Sequence, residues 1–77
     1  MVNVKRLRKE KGLTQEALST AMGYSSPQYI SNIERGVSRI PVTKFKVLSR
    51  LLGVDVRILI AAEVKRYKNR LMKRYGV

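Results

Sequence analysis

The sequence predicts an all-α domain of five helices with an extended C-terminal helix, and three observations carry that prediction. Apolar residues recur at spacings of three and four along the chain, as in Leu18 and Met22, Ile30 and Ile33, and Phe45, Leu48 and Leu52. Each such pattern is punctuated. Asn3, Thr14, Ser25 or Ser26, Pro41 and Asp55 open successive helices, and Gly12, Gly23, Gly36 and Gly53 close the first four. Finally, 77 residues with 44% apolar content make one globular domain, near the lower size at which a hydrophobic core suffices.

The first helix spans Val4–Lys11, with Val4 and Leu7 facing inward and Lys5, Arg6 and Lys9 outward. Leu13 follows Gly12 as a core residue in the linker. Thr14 caps a second helix that presents Leu18 and Met22 to one side. Gly23 stops it in a left-handed turn residue, a conformation that glycine adopts without strain. The third helix starts at Ser25 or Ser26, with Pro27 in its first turn, where a missing N–H costs nothing. Ile30 and Ile33 share its inner side. Gln28, Asn32 and Arg35, spaced four and three apart, form a stripe on the opposite side. Two amides and a guanidinium suit base edges and phosphates, since Asn and Gln pair bidentately with adenine and Arg with guanine. Nothing else in the chain satisfies that stripe, and the ordinary alternative is a solvated helix face.

Leu13-Thr14-Gln15, Leu18, Gly23 and Tyr29-Ile30-Ser31-Asn32-Ile33-Glu34-Arg35-Gly36 resemble the helix-turn-helix of the Cro/lambda-repressor-like (Xre-type) DNA-binding family. The resemblance covers about residues 2–60, and its pattern is far more specific than a basic helix. It departs in two places. The interval from Gly23 to Gly36 is one residue longer than the family's usual spacing, which enlarges the turn Tyr24-Ser25-Ser26, and Ser19 replaces a small alanine at the helix–helix contact. The resemblance implies a third helix lying in the major groove, with Gln28 and Asn32 reading bases and Tyr29 and Ser31 at the flanks. It also implies phosphate contacts from Gln15, Ser26, Arg35, Arg39 and Lys44. Arg8 is expected to pair with Glu34, tying the first helix to the third rather than touching DNA.

Pro41 is expected to begin the fourth helix, with Phe45, Leu48, Leu51 and Leu52 inward and Lys44, Lys46 and Arg50 wet. Asp55 caps the fifth, which continues to about Tyr75, beyond the end of many family members. Its first part, Val56–Ala62, is apolar on nearly all sides and is expected to pack on the domain. Beyond it the apolar positions narrow to a seam of Ile60, Val64, Tyr67 and Leu71, flanked by Lys65, Arg66, Lys68, Arg70, Lys73 and Arg74. A narrow seam on a long helix points to a partner helix, most simply that of a second copy. The positive flanks favour a crossed or antiparallel pair. The organisation is therefore a helix-turn-helix domain over residues 1–60, its motif at about 14–36. The last helix, 55–75, belongs to the same domain and serves as a dimerisation element.

Seventeen Lys and Arg against five acids give a net charge of +12, a field that draws polyanions, nucleic acid first. The chain has no cysteine and no histidine, which removes the usual zinc sites, thiol chemistry and imidazole catalysis. Its five acids are scattered, and no glycine-rich phosphate loop is present. No catalytic residue, metal or cofactor is therefore expected. Met1–Lys11 lacks the apolar segment of a signal peptide and no run is long enough to span a bilayer, so the expected location is cytoplasmic. The expected function is a sequence-specific double-stranded DNA-binding transcriptional regulator, a repressor acting as a homodimer without metal or membrane partner. The rival from another class is an antitoxin or phage accessory module whose last helix grips a protein. RNA binding lacks the exposed aromatics for stacking, and a membrane-surface helix would need a broader apolar face.

Overall fold

A computed structural model describes residues 3–77; Met1 and Val2, the start of the expected domain, lie outside the described residues. Five α-helices follow one another: α1 Val4–Glu10, α2 Gln15–Ala21, α3 Gln28–Glu34, α4 Phe45–Leu52 and α5 Val56–Arg74. There is no strand among the described residues. Three of the helix starts, those of α1, α2 and α5, follow from side-chain caps. Asn3 accepts from Arg6 N, Thr14 from Ala17 N and Asp55 from Arg57 N, each satisfying an amide that the helix itself leaves without a partner.

The helix ends share one design. At α2 the Gly23 N–H bonds the Thr20 carbonyl and the Tyr24 N–H bonds the Ser19 carbonyl, 3.0 and 2.9 Å. This paired closure requires a left-handed residue, and Gly23 supplies it at φ +86°. The same pair of bonds closes α1, α3, α4 and α5.

Two helix starts differ from the sequence expectation. α3 begins at Gln28 rather than Ser25 or Ser26, because Ser26 Oγ accepts the Gln28 N–H at 3.1 Å and holds the preceding residues in a turn. α4 begins at Phe45 rather than Pro41. Pro41 is extended (ψ 138°) and leads into a short 3-10 turn, Val42–Lys44.

The core gathers one stripe from each helix: Val4, Leu18, Met22, Ile30, Ile33, Leu48, Leu52 and Leu59, joined by Ile40 from the loop after α3. Leu7, Leu13, Tyr24, Phe45, Val47, Leu51 and Val54 pack around them. Full burial of such side chains stabilises the fold by about 1.5–3 kcal/mol each before entropy is counted. Val56–Ala62, expected to pack on the domain, does so along one face: Leu59 is buried, while Ile58 and Ile60 remain nearly half exposed. At about 100° per residue, the face of α5 turned to the core holds Leu59, Glu63 and Arg66, and Ile58 and Ile60 fall to either side of it. From Tyr67 onward every residue is exposed. α5 runs about 28 Å at 1.5 Å per residue, a large part of the molecule's 39 Å long axis.

Candidate nucleic-acid interface

α3 is held between the core and solvent by two opposite faces. Ile30 and Ile33 are buried at 0% and 4% exposure, whereas Gln28 and Arg35 are exposed. Asn32, half-buried, sits at the centre of the outer stripe. Its Oδ1 accepts from Gln28 Nε2 at 2.8 Å and from Arg35 Nη2 at 2.7 Å, so the three side chains form one hydrogen-bonded row along the helix. Ser31 and Ser26 lie half-buried beside it. The Asn32 carbonyl, meanwhile, accepts from Val37 and Ser38 and so fixes where the chain leaves the helix.

Beneath α3 runs a buried polar network. Arg8 Nε donates to Glu34 Oε2 at 2.7 Å and Nη2 to Oε1 at 3.3 Å, while Nη1 donates to the Leu13 carbonyl at 2.8 Å. The two charged side chains are only 8% and 4% exposed. Gln15 joins them: its Nε2 donates to Glu34 Oε1 at 3.0 Å. Burial pushes the Glu34 carboxyl up, but the hydrogen bonds from Arg8 and Gln15 and the charges of Arg8 and Lys5 outweigh it and hold the group below its usual range. α1, α2 and α3 are thereby locked at one point, with a planar guanidinium meeting a carboxylate through two bonds.

This arrangement, a short helix, a glycine-closed turn and a second helix with an outward amide row, has a counterpart among known proteins. The model of one protein family, described as helix-turn-helix, matches residues 4–59. The chain belongs to the Xre/Cro-like helix-turn-helix family. It is also 46% identical over 53 residues to the uncharacterised HTH-type transcriptional regulator y4dJ of Sinorhizobium fredii, a match spanning 69% of this chain and 68% of that protein.

The helix-turn-helix match ends at residue 59, so most of α5 lies beyond it. That extension is nevertheless tied back to the motif. Arg66, paired with Glu63 at 3.0 Å, reaches the end of α3, where its Nη2 would stand 3.3 Å from a Cβ placed on Gly36. The Arg39 guanidinium lies over the Tyr67 ring, 4.4 Å from its centroid. The seam residues Ile60, Val64 and Tyr67 therefore border Arg39, Ile40, Val42 and Phe45 in one shallow groove, with Leu71 further along the helix.

Lys44 is not wet as expected. It is half-buried, its ammonium donating to the Met22 carbonyl at 2.8 Å at the end of α2, and it lies 5.3 Å from the centre of the Tyr24 ring. A cation at a helix C-terminus meets carbonyls that have no helical partner, and this draws it inward. Tyr24 in turn stacks on Tyr29, centroids 4.3 Å apart and planes inclined 12°. Burial raises the Tyr24 phenol above its ordinary value, with Tyr29 adding to the shift.

Sequence reasoning missed Tyr24 and Ile40. An aromatic in the enlarged turn and an apolar residue directly before Pro41 were the available signals. Among the described residues no group of three or more His, Cys, Asp or Glu is placed to hold a metal ion, and no helix is long and apolar enough to cross a membrane.

Proposed function

We propose that the chain is a sequence-specific double-stranded DNA-binding transcriptional regulator that represses by occluding promoters, with α3 in the major groove. The observation that carries this reading is the Gln28–Asn32–Arg35 row. It is outward-facing and backed by a rigid core, and its side chains can exchange bonds within the row for bidentate contacts to base edges. Family membership and the transcriptional-regulator name of the relative support it. Gln28 and Asn32 read bases, flanked by Tyr29 and Ser31. Ser26, Arg35 and Arg39 hold phosphates, as do Gln15 and Lys44 through donors left after their internal bonds. The +12 charge supplies the sequence-independent attraction. A homodimer through Ile60, Val64, Tyr67 and Leu71 sets two recognition helices about 34 Å apart, one turn of duplex.

Selection of bound sequences from a random duplex library tests this directly, with a two-fold-symmetric motif as the expected result. Asn32→Ala should then weaken the selected site by about 1–3 kcal/mol and leave random duplex nearly unchanged. Equal losses on both duplexes would make Asn32 a structural or phosphate residue and end the base-reading assignment.

A further inference from the structure

Lys44, Tyr24 and Tyr29 form a column that the helix-turn-helix geometry alone does not require. The Lys44 ammonium is anchored on the Met22 carbonyl at 2.8 Å and faces the Tyr24 ring; Tyr24 lies against Tyr29 at 4.3 Å and nearly parallel. The closing turn borders it: a Cβ on Gly23 would stand 3.6 Å from the Lys44 ammonium, an ordinary contact distance. Tyr24 is half-buried and packed on the core, so the column is fixed at its inner end.

At its outer end Tyr29 is 51% exposed although one ring face is covered. Tyr29 is the second residue of α3 and lies at about 60° around the helix from Asn32, at the edge of the polar row. A rigid, open aromatic face there has no hydrogen-bonding capacity across its plane. Among the groups displayed in a major groove, the one such a face suits is the C5-methyl of thymine. Aromatic stacking of this kind restricts a ring that would otherwise rotate freely in solvent.

We propose that Tyr29 is a specificity-determining residue that selects thymine through its methyl group, and that Tyr24 and Lys44 are positioning residues that hold its ring in place. The inference rests on α3 lying in the major groove. It adds a base preference that the amide row does not contain.

The test uses the full chain and its selected duplex, with each thymine replaced in turn by deoxyuridine, which removes the methyl and keeps every hydrogen-bonding group. Binding should fall about four-fold at one thymine in each half-site, the loss of one buried methyl, and change little at the others. Tyr29→Ala should abolish that difference and Tyr29→Phe, which keeps the ring, should restore it. Tyr24→Leu should reduce the thymine-over-deoxyuridine ratio towards one while random-duplex affinity is kept, a signature that loss of fold would not give. Lys44→Met should reduce the same ratio while also weakening every duplex through its lost phosphate contact. A wild-type chain indifferent to every thymine methyl, or a preference that survives Tyr29→Ala, overturns the proposal and leaves major-groove binding standing. A preference untouched by both Tyr24→Leu and Lys44→Met removes the positioning role. A chain that prefers no duplex at all would instead refute the reading on which the proposal rests.

Discussion

Removing one charge from the Arg8–Glu34 pair should cost this domain a large part of its stability. Glu34→Gln keeps the shape but leaves the Arg8 guanidinium, itself 7% exposed, with only the Leu13 carbonyl and a neutral amide. Glu34 Oε1 also accepts from Gln15 Nε2. An amide nitrogen placed there would set donor against donor, and Gln15 would have to turn away. With side chains 8% and 4% exposed, the pair belongs with buried ion pairs, whose disruption costs about 3–5 kcal/mol, not with surface pairs at about 0–1. Because the new amide still accepts one bond, the low end, about 3 kcal/mol, is expected. At about 0.05–0.15 kcal/mol per residue, the whole domain has only about 4–12 kcal/mol to lose. The melting temperature should therefore fall by more than about 10 °C. Urea unfolding followed by far-ultraviolet circular dichroism measures the loss, and a double-mutant cycle with Arg8→Met should show coupling of about 1–3 kcal/mol. A loss below about 1 kcal/mol with additive single effects would refute the reasoning.

Acid should expose the same network. Glu34 is held below its unfolded value of about 4.3, so its contribution is present above that value and is lost as pH falls through the folded-state one. Stability should consequently drop more steeply in acid for the wild-type chain than for Glu34→Gln, as followed by circular dichroism from neutral pH downward. Ser19→Ala should leave stability unchanged or raise it by about 1 kcal/mol in urea titration, since the buried Ser19 Oγ has no hydrogen-bond partner and alanine is the better helix former. Leu71→Asp should convert a sedimenting dimer to a folded monomer at micromolar concentration, with weaker binding to a two-fold site. A wild-type chain that already sediments as a monomer would refute the seam.

The helices and most of the core were legible because three-and-four spacing reports which face of a helix is apolar. Leu18, Met22, Ile30, Ile33, Leu48 and Leu52 all lie where that spacing puts them. Spacing says nothing about how far a neighbouring element covers a face, which is why Ile58, in a stretch expected to pack on the domain, lies half outside. Long polar side chains were harder still. Lys44 reads as one more surface cation, yet its position beside the open end of α2, set only by the tertiary fold, turns it inward. Gln15 likewise reads as a helix-start residue turned to a DNA phosphate, while its partner in the fold, Glu34, lies 19 positions away. The start of α4 was misplaced because proline marks the entry to a helix or to a 3-10 turn equally well.

The Arg39–Tyr67 contact joins two surfaces that could otherwise act separately. An arginine that moves from the ring to a phosphate forfeits about 0.5–1 kcal/mol of attraction, and the ring it leaves becomes a bare apolar surface on the seam. Any cover over that ring, in turn, releases the cation outward. With Arg39 on a phosphate and a second copy on the seam, as proposed above, ring coverage and phosphate capture would draw on one shared charge, and each would favour the other by the same factor, about two- to five-fold at these energies. Assembly and DNA occupancy would then be thermodynamically linked without any movement of the helices, and Tyr67→Leu would uncouple them while leaving both surfaces in place.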